Sequence, residues 1–415
     1  MTQRTPVDGP KLTFVGKFFI LLLIAGSFAG AYYLFFMRGT GGGATGSGAT
    51  AGSGVDARTS VEPRTGLPGT SVEFGIAYGT EKERWLKWAV DEFSRTGAGR
   101  GIKINLIGMG SLEGAQALLR DDAESKKIHV WSPASALYTD VFLSEWQMKF
   151  NRQPFVRAEQ LALSPMVFVL WKERYDAFTP KYGEVTFKSV ATAMKEPSGW
   201  AGIADKPDWG LFKFGHTHPN QSNSGLMTLV LLAHDLTGQT GELTMKDILQ
   251  PGFQSGMTEI ERAVRGLVKS TGTMMRDMVL RGPSSYDGLF VYESVVIDYL
   301  HNAENRWGPL HVIYPKTNMW NDNPYYIVDA PWSTPEQRKA ADAFLEFLLS
   351  EPIQKQSLVH GFRPANVSVP VRFPDSPFVK FESSGLKIDI GTVVEAPKAQ
   401  VINELLGSWQ RSVGR

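Results

Sequence analysis

From Ser71 onward the chain alternates short runs of strand-forming residues with stretches of helical periodicity, and this alternation restricts the fold more than any other feature. "SVEFGIAYG", Ser71 to Gly79, reads as a buried strand, and Leu86, Ala89, Val90 and Phe93 then recur at i, i+3, i+4, i+7 as in an amphipathic helix. "GIKINLIGMG" and "KIHVWS" are further strands, and Leu112, Ala115, Leu118 and Leu119 mark the helix between them. "LALSPMVFVLWK" is a long apolar strand interrupted at Pro165. "NPYYIVDAPW", Asn323 to Trp332, is an extended return run ahead of the helical "TPEQRKAADAFLEFLLSEPIQKQSLVHGF". The pattern predicts an α/β chain of two lobes, joined by two crossing strands with a cleft above the hinge.

Hydroxyl residues stand where the helices begin. Thr80 is followed three residues later by Glu83, the spacing of a capping box, and Ser111 precedes the second helical run. Ser132 before Pro133 reads as an N-cap with proline at the first helical position, and Ser222 and Ser224 precede Leu226, Leu229, Val230 and Ala233. In an open α/β sheet such starts gather at the carboxyl ends of the strands. A helix N-terminus leaves its first N–H groups unpaired and carries about half a positive charge, so several meeting in one cleft would cradle an anion or a carbonyl oxygen. Each hydroxyl also has the plainer reading of a helix cap and nothing more.

The N-terminal part sets location. Phe18 to Met37 is an uncharged apolar run, long enough at about 1.5 Å per residue to span a bilayer core of about 30 Å. Arg4, Lys11 and Lys17 precede it and only Arg38 follows closely, which places residues 1–17 in the cytoplasm and the rest outside. A cleaved signal peptide ending near Ala29 to Ala31 is the rival reading. Residues 38–70 are a Gly-, Ser- and Pro-bearing linker with a reach of roughly 30 Å. The chain has no cysteine, which excludes disulfides, thiolate metal sites and a lipid-modified cysteine. Its 43 Lys and Arg are balanced by 42 Asp and Glu without a basic stripe, so nucleic acid is not an expected partner.

The segments "FGIAYGTEKERWLKWAVDEF", "VWSPAS", "FGHTHPNQSNSGL", "YDGLFVYES" and "AADAFLEFLLSEPIQKQSLVHGFRPA" resemble the type II bacterial extracellular solute-binding proteins that serve ABC transporters. The likeness spans roughly Val72 to Pro370 and is nearest to membrane-anchored binding modules often fused to a von Willebrand factor A-type domain, a domain with no counterpart or D-x-S-x-S motif here. It implies a two-lobed periplasmic-binding-protein-like fold preceded by one transmembrane helix at 18–37. Residues 71–165 would form the first part of lobe 1, 166–322 lobe 2, 323–372 the return to lobe 1, and 373–415 a C-terminal extension ending in a helix packed on the body. The function it implies is closure over a small polar or anionic ligand outside the cytoplasm, presented to or read by an ABC permease or a membrane complex. A scaffold or sensor subunit with a vestigial cleft is the alternative.

The candidate ligand-binding residues are Thr80, Glu81, Ser111, Ser132, Ser135, His216, Asn220, Ser222, Asn223, Ser224, Tyr286 and Glu293. The resemblance puts the loop around His216 and the stretch from Tyr286 to Ser294 at the cleft walls. A metal on His216 and His218 lacks the third and fourth ligands that zinc needs, and no metal or other cofactor is expected. Tyr325 and Tyr326, adjacent on a strand, point to opposite faces and read as core. Arg363 could reach a ligand carboxylate or phosphate with its two-pronged guanidinium, but it reads first as a surface ion pair. No G-x-S-x-G elbow, H-E-x-x-H motif or phosphate-binding lysine loop argues for an enzyme.

Overall fold

The computed structural model describes residues 71–264 and 266–414. The apolar run Phe18–Met37 and the linker 38–70 lie outside the described residues. Among the described residues no helix is long and apolar enough to cross a membrane.

The strands in chain order are β1 (Val72–Gly79), β2 (Ile102–Met109), β3 (Val130–Ser132), β4 (Phe155–Gln160), β5 (Ala162–Trp171), β6 (Phe214–Gly215), β7 (Gly288–Tyr292), β8 (Leu310–Ile313), β9 (Thr317–Asn318), β10 (Trp320–Asn321), β11 (Pro324–Val328), β12 (Arg363–Pro364) and β13 (Thr392–Val393). The first lobe is a sheet in the order β2-β1-β3-β11-β4, parallel through β3 and antiparallel beyond it. Side-chain alternation gives this sheet two cores. Phe74, Ile76, Val130, Tyr325 and Ile327 pack on one face, and Ala77, Trp131, Tyr326 and Val328 on the other. The helices Glu83–Ser94 and Pro335–Leu349 cover the first face; Ser111–Arg120 and Thr139–Phe150 cover the second.

The second lobe is built on β5. Its latter half pairs antiparallel with β7 and β8, and its first residues pair with the short β10 and β12. Pro165 has no N–H to give a ladder and sits where β5 changes partners. The helix Asn223–Thr237 is apolar nearly all round, with every residue from Asn223 to His234 buried, because other helices enclose it.

The chain passes from the first sheet to the second at Leu161, between β4 and β5, and returns between β10 and β11. Asn323 ties this hinge. It adopts the left-handed conformation (φ 43°), which asparagine tolerates better than most side-chain-bearing residues. Its amide nitrogen donates to the carbonyls of Ala162 and Asn321 at 3.2 and 3.0 Å, and its backbone carbonyl accepts from Leu161 N–H at 3.2 Å. The C-terminal extension belongs to the second lobe: β13 pairs parallel with β9, and the helix Ala399–Ser412 buries Val401, Ile402, Leu405 and Trp409 against the helices Asn223–Thr237, Met245–Ile248 and Pro251–Ala263.

Candidate functional site

The two lobes meet along a polar seam at the carboxyl ends of β1, β2 and β3. Thr80 follows β1 directly, and its Oγ1 lies 2.9 Å from Ser270 Oγ, the N-cap of the helix Thr271–Arg281 on the second lobe. Ser135, just past β3, donates through Oγ to Asn223 Oδ1 at 2.8 Å. Asn223 is the node of the seam, because its Nδ2 also donates to Tyr292 OH at 3.1 Å and to Asn321 Oδ1 at 2.9 Å. One amide thereby touches the first lobe, the second lobe and the return strand.

Behind Asn223 runs a chain of hydroxyls. Ser224 Oγ sits 2.5 Å from Thr217 Oγ1, 2.6 Å from Thr271 Oγ1 and 3.3 Å from Ser222 Oγ. The loop before this helix folds tightly over it, and a Cβ on Gly225 would come within 2.4 Å of the Thr217 carbonyl oxygen, so glycine is required there. Burial, and then the charge of Glu81, holds the Tyr292 phenol well above its ordinary pKa, so it stays a neutral donor.

The first lobe adds a buried charge pair. Lys82 is fully buried, and its three N–H groups go to Glu81 Oε1 at 2.6 Å, the Pro133 carbonyl at 3.0 Å and Asn323 Oδ1 at 3.1 Å. Burial holds its pKa below the ordinary value, against the opposing pull of Glu81. Ser111 Oγ accepts from Ala134 N–H at 2.9 Å, whereas Ser132 Oγ is buried without a partner. Across the seam Arg84 pairs with Asp298 at 2.9 Å. One cavity between the lobes, of about 110 Å³, is lined by Thr80, Glu81 and Arg84 on one side and by Ser270, Thr273 and Arg276 on the other; a second, more open one of about 550 Å³ is lined by Ser135 and Asp140 on one side and by Trp320, Val394 and Lys398 on the other.

Of the residues expected from the sequence, Thr80, Glu81, Ser111, Ser132, Ser135, Ser222, Asn223 and Ser224 cluster at this seam. Their roles differ from simple capping. Thr80 does not stand at a cap position, since Gly79 precedes the turn Thr80–Lys82 and Lys82 precedes the helix Glu83–Ser94, and its hydroxyl meets Ser270; Gly110, not Ser111, is the N-cap of Ser111–Arg120; and Ser135, not Ser132, caps the short helix that follows β3.

Four expected residues lie off the seam. His216 is buried with Nε2 3.1 Å from Glu261 Oε1 and Nδ1 2.8 Å from the Thr217 carbonyl. Burial disfavours its charge, but Glu261 outweighs that and raises its pKa. Asn220 turns its Nδ2 to Gln410 of the C-terminal helix at 2.8 Å. Tyr286 packs beneath Gly215, ahead of β7 and at the opposite end of that strand from Tyr292. Glu293 is fully buried, with both oxygens taken by Arg363 at 2.8 and 2.6 Å and a further bond from Tyr314 OH. Arg363 is therefore half of a buried pair and not a surface one. Tyr292 lies in the stretch that the resemblance puts at the cleft wall, whereas Lys82, Asn321 and Asn323 are not among the expected residues. Only the polar composition around Asn321 and Asn323 hinted at them, and lysine is seldom buried at all.

The profile of the family described as bacterial extracellular solute-binding protein matches residues 74–363. The chain belongs to that family. Members bind solutes for transport, and the two sheets and double crossover of this solute-binding protein are the corresponding fold. It is similar to the periplasmic thiamin binding protein (13% identity, TM-score 0.56, covering 83% of this chain and 96% of that one). It is likewise similar to the maltose-bound MalE3 of T. maritima (14%, 0.55, 82% and 95%) and to the sulfate-binding protein SubI of Mycobacterium tuberculosis H37Rv (15%, 0.51, 82% and 97%). At such identities the likeness is one of fold. No curated protein matches the chain by sequence.

Proposed function

We propose that this solute-binding protein is a membrane-tethered, extracytoplasmic receptor that closes its lobes over a small polar or anionic solute and presents it to an ABC permease or another membrane complex. The observation that carries this reading is the seam. Helices beginning at Glu83, Ser111, Asn223 and Thr271 start at it from both lobes, beside a buried Ser132 hydroxyl without a protein partner. A ligand touching both lobes binds the shut form better than the open one and so shifts the hinge equilibrium. The uncharged run Phe18–Met37 and the basic residues before it support the tether.

The test is a thermal-shift screen of the full chain against oxyanions, amino acids, polyamines and sugars. A specific ligand at 100 times its Kd adds about 2.7 kcal/mol to stability and raises the melting temperature. A second reading, a scaffold whose cleft is filled by protein, has its own support. The lobes bond each other directly through Thr80 to Ser270 and Ser135 to Asn223. Silence across the panel decides for the scaffold.

A further inference from the structure

Resting on the solute-binding reading, we infer that the seam takes a small zwitterion, with an ammonium and a carboxylate on one short frame as in the smaller α-amino acids. The charges lining the smaller interlobe cavity lead to this class. Arg84 and Asp298 neutralise each other across the seam at 2.9 Å, and Glu83 pairs with Lys87 at 2.5 Å. Glu81 gives Oε1 to Lys82 at 2.6 Å, while its Oε2 accepts from no described residue. Arg276, on the first turns of the helix Thr271–Arg281, makes no ion pair or hydrogen bond among the described residues. The cavity is thus left with a free carboxylate oxygen on the first lobe and a free guanidinium on the second.

Other ligand classes match this wall less well. A dianion would find Arg276 as its one unpaired cation in this wall, because the N–H groups of Lys82 go to Glu81, Pro133 and Asn323 and Arg84 is held by Asp298. A diamine would set a second positive charge against Arg276. A neutral polyol would leave Glu81 Oε2 and the Arg276 guanidinium without an ionic partner as the seam loses water. A zwitterion pairs its ammonium with Glu81 and offers its carboxylate to the fork of Arg276, near the positive end of the helix Thr271–Arg281. It would also tie one lobe to the other, as closure requires. The cavity volume of about 110 Å³ favours a short side chain.

Isothermal calorimetry on the full chain tests this with glycine, L-alanine and L-serine, set beside ethylamine, putrescine, acetate, sulfate and ribitol. The expected result is that at least one amino acid binds and that every single-charge or neutral compound binds at least tenfold more weakly. Arg276→Met, a change at an exposed position, should weaken the amino acid at least tenfold without moving the ligand-free melting temperature. Glu81→Gln should also weaken the amino acid at least tenfold, here with a lowered ligand-free melting temperature because buried Lys82 loses its charge partner, and circular dichroism checks that the fold persists at the assay temperature. If sulfate, putrescine or ribitol binds tightest, or Arg276→Met leaves amino-acid affinity unchanged, the zwitterion is overturned while solute binding stands. If nothing in the panel binds, solute binding and this inference fall together.

Discussion

Removing the guanidinium of Arg363 would leave the fully buried Glu293 carboxylate with Tyr314 as its one remaining side-chain partner. Breaking a buried pair from one side costs on the order of 3 to 5 kcal/mol, because an uncompensated charge stays inside. Arg363→Met should therefore lower stability by that amount in urea denaturation, and adding Glu293→Gln should recover much of it. A ligand-binding Glu293 would instead lose affinity and keep its stability. His360 offers a pH test. Burial, and then the charge of Arg84, lowers its pKa to about 4, below the ordinary 6.5. A depressed folded-state value contributes stability above pH 6.5 that is lost as pH falls toward 4. The unfolding midpoint of the wild type should accordingly drop relative to His360→Leu across that interval; parallel curves would remove His360 from the account. Sequence could name both residues but not these roles. An arginine and a glutamate separated by 70 positions give no local sign of meeting, and a histidine's burial depends on what packs over it.

At the scale of elements the sequence was more informative. Leu86, Ala89 and Phe93, and likewise Leu112, Ala115 and Leu118, are buried as their spacing requires, since a core-facing stripe is a local property of the chain. Helix starts were legible too, but not what their hydroxyls bind. Thr80 carries the same local signal whether it caps its own helix or reaches Ser270, which lies 190 positions away. The C-terminal helix shows the same division. Its apolar stripe is readable, whereas its task is to hold the loop ahead of Asn223: Trp409 Nε1 donates to Glu261 at 2.7 Å, its ring lies 4.8 Å from that of His218, and Gln410 accepts from Asn220. Trp409→Ala should cost about 3 to 5 kcal/mol. In hydrogen exchange, residues 216–222 should lose protection before the first lobe does. Equal loss in both lobes would mean that the helix supports the whole body and not the loop.

For the molecule as a whole, the fold was legible because alternation of strand and helix with one long return segment admits few topologies. The closeness of the lobes was not, since it depends on how two rigid surfaces meet. Gly110 isolates that contact. Its φ of −64° suits any residue, yet a Cβ there would lie 2.7 Å from the carbonyl oxygen of Gln221 on the opposite lobe. Gly110→Val therefore leaves each lobe foldable and makes the shut arrangement clash, with backbone on the far side unable to yield as a flexible side chain would. Small-angle scattering should show a larger radius of gyration than wild type, with unchanged circular dichroism. Any ligand that bridges Thr80 and Ser270 should bind at least tenfold more weakly, a difference of about 1.4 kcal/mol, because part of its binding energy must now oppose the wedge. A variant that scatters like the wild type would mean that the lobes move past Gly110 without meeting there, and closure would then have to be sought on another surface.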